Sequence, residues 1–303
     1  MPTCHIRFRL SAAALLVAWL PGAGAAVVPP GTALAEKQEI VRHIKDEPAS
    51  LDPIKAVGLP EAQVARDLFE GLVNQDAQGK VTPGVAVRWE TQDNQHWTLT
   101  LRKEARWSNG DPVTAQDFVY SWRRLVDPAN HSPSAWFAGL AGLENADAII
   151  AGKLPPEKLG VTAVDAHTLT LRLTKPVPYF ISLLANFSLF PVHQATVEKY
   201  GDDWTKVGNL VGNGAFTLQQ RVVNEKLVLV PNPHYWDHAH TVLTQVTLVP
   251  INQESSATKR YLAGDIDITE SFPKNMYRKL LKDIPGQVYT PDQLGTYYYA
   301  FNT

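Results

Sequence analysis

The stretch WTLTLRKEARWSNGDPVTAQDFVYSWRRLVDP, residues 97–128, holds a strand, a turn and a helix in sequence and so sets the fold class. Trp97, Leu99 and Leu101 alternate with Thr98, Thr100 and Arg102, the two-residue period of a strand buried on one face. Ser108-Asn109-Gly110-Asp111 supplies turn residues. Thr114 followed by Asp117 is a variant of the capping box, and Phe118, Trp122 and Leu125 then recur at helical spacing.

The same alternation of patterns runs outward in both directions. HTLTLRL repeats the strand period with Leu169, Leu171 and Leu173. A helix is expected from Pro60, with Val64, Leu68 and Leu72 on one stripe, because proline's missing N–H costs nothing in the first turn. Another runs through QESSATKRYLAG to a stop at Gly264 and leads into DIDIT, where Ile266 and Ile268 are expected to face inward. A further helix starts near Pro273 and is expected to bury Met276, Leu280 and Ile284. Gly212-Asn213-Gly214 reads as a tight turn before a strand over 215–218. Strands alternating with amphipathic helices predict an α/β protein. The chain has 303 residues, 45% of them hydrophobic, enough for one large or two ordinary domains.

Residues 1–25 read as a cleaved secretory signal peptide: Arg7 and Arg9, an apolar run over 10–20, then Ala23-Gly24-Ala25. Cys4 is the one cysteine and precedes the run, so the mature chain is expected to lack cysteine. Losing two arginines leaves 26 basic residues against 30 acidic ones, a net charge of −4, which argues against a nucleic-acid partner.

Several residue groups suggest chemistry. Ser256-Ala257-Thr258-Lys259 has the S-x-x-K spacing of a serine hydrolase but lacks the S-D-N and K-T-G elements of that site. His234, His238 and His240 lie in a turn-rich segment with no cysteine or acid at zinc spacing, so no metal site is expected. Asp265 and Asp267 fall on the polar side of their strand and read as a solvated face. No nucleophile, metal set or cofactor fingerprint stands out. The expectation is a binding protein, not an enzyme, with no cofactor.

Residues 97–128 strongly resemble the signature region of the periplasmic peptide-binding proteins that serve ATP-driven importers. Other landmarks follow in that family's order: SLDP at 50–53, RDLFEGL at 66–72, VGNGAF at 211–216, NPHYWD at 232–237 and YLAGDIDI at 261–268. The resemblance runs from about residue 34 to 303. VRHIKDEPASLDP and LGTYYYAFNT resemble the murein-peptide branch most. Gly295 stands where the general oligopeptide binders carry a cysteine, which favours the same branch.

The resemblance implies a type II periplasmic binding protein clamp. Residues 26–69 and 193–294 would form the first lobe, 70–192 an inserted α+β subdomain, and 295–303 the start of a hinge strand to a second lobe missing from this chain. It also implies a monomer that binds the murein tripeptide L-Ala-γ-D-Glu-meso-diaminopimelate or other short peptides and delivers them to an oligopeptide ABC permease at the inner membrane. A dipeptide- or nickel-binding relative is the alternative. By matching positions, Ala56, Val57, Gly58 and Leu59 would offer backbone to the peptide, and Ser134 would fall on a side-chain pocket. Glu270, Ser271 and Phe272 would form a ligand-facing loop, and Gln293 and Tyr298 would face the ligand from the last strand. Truncation is expected to impair binding.

Overall fold

The computed structural model describes residues 26–290 together with Tyr299 and Phe301. The expected signal peptide, Gln293, Tyr298 and most of the expected hinge strand therefore lie outside the described residues. Among the described residues no helix is long and apolar enough to cross a membrane.

Three sheets organise the chain. The first has the order β1 (Glu39–Ile44), β10 (Gln245–Pro250), β9 (Lys226–Pro231), β8 (Phe216–Val222). In it β1 and β10 are parallel, with Ile40 opposite Val246 and Arg42 opposite Leu248, whereas β10, β9 and β8 are antiparallel neighbours. The second is the small hairpin of β2 (Val73–Gln75) and β3 (Val81–Pro83). The third has the order β4 (Ala86–Glu90), β5 (His96–Leu101), β7 (Thr168–Arg172), β6 (Val161–Asp165), antiparallel throughout.

The signature stretch folds as its periods require. β5 alternates strictly between exposed and buried residues, and Trp97 and Leu99 lie opposite Leu171 and Leu169 of β7. The apolar face of this sheet must be covered, and α2 (Ala115–Val126) packs against the sheet at β6. Phe118, Trp122 and Leu125 are buried on this helix, with Trp122 Nε1 donating to Leu189 O at 2.9 Å. The Thr114 N–H donates to Asp117 Oδ2 at 2.7 Å, closing the capping box. Burial pushes the Asp117 carboxyl above its ordinary value, opposed by the hydrogen bonds from Thr114. The short helices α3 (Trp136–Leu140), α4 (Ala146–Ile150) and α5 (Phe180–Leu183) complete this part of the core, followed by α6 (Gln194–Tyr200).

Four local expectations change. Helix α1 (Leu59–Leu68) ends one turn early, so Leu72 is buried from the following loop and not from the helical stripe. The glycines of Gly212-Asn213-Gly214 serve close approach to the end of α1. A Cβ on Gly212 would sit 2.1 Å from Leu68 O, and one on Gly214 would sit 2.6 Å from Asp67 O. Asn213 fills the space between them, accepting from Glu70 N at 3.0 Å and donating to Glu70 O at 2.9 Å. After α7 (Glu254–Ala263), which Gly264 ends at φ 82°, the DIDIT segment buries Ile266 but leaves Ile268 46% exposed. It runs along β1 through an isolated parallel bridge from Ile268 to Arg42, so only part of it is held in the sheet. In the last element, α8 (Tyr277–Asp283), Leu280 is buried while Met276 and Ile284 are half-buried, because a short turn replaces the first part of the expected helix.

Candidate functional site

The chain between β1 and α1 is built to present a short piece of backbone. It begins at Asp52, which is 2% exposed and accepts a two-pronged bond from Arg124 of α2, at 2.9 Å and 2.7 Å. The same carboxylate accepts Ile54 N at 3.2 Å and Trp204 Nε1 at 3.3 Å. Farther along, the Ser132 hydroxyl donates to Ile54 O at 2.5 Å and the Ser134 hydroxyl donates to Ala56 O at 2.8 Å. Glu61, in the first turn of α1, accepts Ala49 N at 2.8 Å and Gly58 N at 3.1 Å. A Cβ on Gly58 would meet Glu61 Oε2 at 2.5 Å, so the residue here must be small for that bond to form.

Held from three sides, the loop turns Val57 and Leu59 outward, 65% and 69% exposed. Among the described residues neither the N–H nor the C=O of Val57 has a hydrogen-bond partner. Beside it lies a small pocket of about 130 Å³ lined by Val57, Ser134, Trp136, Phe137, Phe187 and Ser188 together with Asn186. Val57 and Ser134 therefore share one place. Ser134 nonetheless spends its hydroxyl on the loop backbone and acts from beneath it. Trp136, 62% exposed and packed edge-on against Phe137, is the aromatic that sequence reasoning did not single out. Its signal was its exposure, which one-dimensional spacing does not reveal.

Glu270, Ser271 and Phe272 belong to a second place, beyond the outer edge of β1. Glu270 and Phe272 line a cavity of about 400 Å³ that also includes Ile268, Tyr261 and Tyr289. Glu270 Oε2 accepts the Lys45 N–H at 3.0 Å, Phe272 stacks on Tyr277 with centroids 6.0 Å apart, and Ser271 Oγ is buried with no hydrogen-bond partner among the described residues. Asp267 is more than a solvated carboxylate, since its Oδ2 accepts Val41 N at 2.7 Å and so caps the edge of β1. Among the described residues no cluster of ligating side chains suits a metal. Ser256 and Lys259 are both exposed on α7.

The remaining sequence landmarks join to one another behind these places. Glu70 of RDLFEGL is buried and accepts Tyr235 Oη at 2.7 Å, Trp236 Nε1 at 2.7 Å and Asn74 Nδ2 at 3.0 Å. Arg102 covers the Trp236 ring at 3.4 Å. Burial pushes the Glu70 carboxyl above its ordinary value, against the pull of these donors and of Arg102, and burial beside Glu70 raises the Tyr235 phenol as well. Asn232 donates to Gly214 O at 2.9 Å, which ties NPHYWD to VGNGAF. These motifs form a latch around the buried Glu70.

The fold and the landmarks together define a solute-binding protein. Residues 80–303 match the model of the bacterial extracellular solute-binding proteins, family 5, and the chain belongs to that family. It is 71% identical over 290 residues to the periplasmic murein peptide-binding protein MppA of Escherichia coli K12, an alignment covering 96% of this chain and 54% of that protein. The periplasmic oligopeptide-binding protein OppA of Salmonella typhimurium is 49% identical over 296 residues, covering 97% of this chain and 54% of that protein. The solved structure of the Escherichia coli murein tripeptide binding protein MppA superposes with a TM-score of 0.87 at 73% identity, over 89% of this chain and 53% of that one. The chain thus spans about half the length of the relatives it matches, and its fold is that of the first part of a type II periplasmic binding protein.

Proposed function

We propose that these residues form the peptide-facing wall of an extracytoplasmic solute-binding component of an ABC importer, with murein tripeptide or a similar short peptide as ligand. The observation that carries this is Val57: an exposed residue whose N–H and C=O have no hydrogen-bond partner among the described residues, on a loop fixed from below by Ser134, Ser132 and Glu61, beside an aromatic-lined pocket. An extended peptide adds to such an edge by main-chain bonds while its side chains enter adjacent pockets. The identity to MppA supports the murein peptide in particular, and the periplasmic relatives support a periplasmic location and a permease partner.

In this reading residues 26–69 and 193–294 make the first lobe and 70–192 the insert. The strands support that division: β1 and β8 to β10 make one sheet, while the strands between residues 73 and 172 make the other two. Val57, Gly58, Leu59 and Ser134 form one contact region, and Glu270, Ser271 and Phe272 a second. Gln293 and Tyr298 remain a proposal from the resemblance.

A one-sided wall leaves the charged ends of a peptide in water, so binding by the present residues alone should be very weak. Calorimetric titration of murein tripeptide into this chain, and into a full-length form joined to the second lobe of a relative, tests both points. Heat of binding in the longer protein alone is expected. Micromolar binding by the short chain would refute the one-sided wall, and no binding by either would refute the ligand. Covalent labelling of Ser256 by a β-lactam probe would instead favour hydrolase chemistry.

A further inference from the structure

The buried ring of His43 is the point on β1 where both ends of the α7 excursion meet. His43 is 1% exposed. Its Nε2 lies 2.9 Å from Ile251 O, at the start of that excursion, and its Nδ1 accepts from Glu270 N at 3.3 Å, at the end. A carbonyl can only accept and a peptide N–H can only donate, so both contacts are satisfied by a single form of the ring: the neutral imidazole with its hydrogen on Nε2. Any other form sets a donor against a donor or an acceptor against an acceptor.

The surrounding bonds point the same way. His43 N donates to Ile268 O at 2.9 Å, and Lys45 N donates to Glu270 Oε2 at 3.0 Å. His43, near the end of β1, and Lys45, just beyond it, therefore control the position of 268–270 through one main-chain bond, one ring and one carboxylate. A leucine or valine would fill the same space in the core. Only a side chain with a donor and an acceptor side by side can also hold two backbone groups from opposite ends of the excursion.

We propose that His43 is the positioning residue of the Glu270–Phe272 segment, a neutral imidazole clamp that sets where the Glu270 carboxylate stands relative to β1. The proposal rests on the reading that this segment faces the ligand.

The test needs no ligand. In the full chain at neutral pH, nitrogen-15 spectra of the histidine rings should show His43 with hydrogen on Nε2 and a lone pair on Nδ1. In His43→Phe the Glu270 amide should exchange about threefold to tenfold faster with solvent, the range expected for one lost hydrogen bond, while the amides pairing β9 with β10 keep their protection. His43→Gln, whose amide also carries a donor beside an acceptor, should restore most of it. Hydrogen on Nδ1, a charged ring, unchanged Glu270 exchange in the Phe variant, or a Gln variant no better than Phe would each overturn the proposal. If the Phe variant fails to fold, the wild-type tautomer and the Gln variant decide. Failure of the peptide titration would remove the ligand-facing reading and leave this result intact.

Discussion

Replacing Asp52 by alanine should cost a large share of this fold's stability. The substitution removes the acceptor for both prongs of Arg124, whose side chain is 11% exposed, and leaves the guanidinium buried without its partner. Breaking a buried ion pair from one side costs about 3–5 kcal/mol, against a total stability of about 5–15 kcal/mol for an ordinary domain. The Ile54 N–H and Trp204 Nε1 lose their acceptor in the same step, so the upper half of the range is expected. Changing Arg124 to methionine in the Asp52→Ala background removes the orphaned charge and should recover about 1–3 kcal/mol. Urea unfolding of the wild type, both single variants and the double variant gives the coupling directly. Hydrogen exchange across residues 52–59 should show the presented loop loosening together with global stability. A single-variant loss below about 1 kcal/mol, or two single effects that simply add, would refute the argument that this pair anchors the loop.

Gly214→Ala should destabilise by more than 2 kcal/mol on the order-of-magnitude scale of core overpacking, because the new methyl meets backbone atoms of Asp67, Leu68 and Phe69 that cannot rotate away; thermal unfolding reads this. Asp117→Asn tests the raised carboxyl. Since the folded value lies above the ordinary 3.8, the stability Asp117 contributes is fully present below that pH and is lost as pH rises through the folded value. The variant should accordingly gain on the wild type as pH rises from acid to neutral, and a constant difference across denaturation curves would contradict the shift. Trp136→Ala should change stability by no more than about 0.5 kcal/mol, since the ring is largely exposed, yet weaken peptide binding in a full-length form. Equal calorimetric affinity with and without the indole would remove Trp136 from the site.

Much of the architecture was legible along the chain because its local periods agree with its burial. Trp97, Leu99 and Leu101 announce a half-buried strand, and Thr114 with Asp117 announces a helix start, through interactions that span only a few residues. The helix stop at Gly264 is legible for the same reason, since it rests on a single backbone angle. Ile268 shows where this reasoning ends: its alternation with Ile266 is correct as a pattern, but whether a strand face is covered depends on what packs against it.

By itself the amino-acid order determined most of the strands and helices and the family landmarks, and through the family resemblance it pointed to the loop Ala56 to Leu59 as the place to look for a ligand. Tertiary structure alone decided what those landmarks do. Glu70 meets Tyr235 and Trp236 across more than 160 positions, Asp52 meets Arg124 across 72, and His43 meets Ile251 and Glu270 across more than 200. Each contact pairs a buried polar group with its partner, and such a partner is fixed by three-dimensional proximity and the cost of leaving the group unpaired, neither of which is encoded in spacing along the chain.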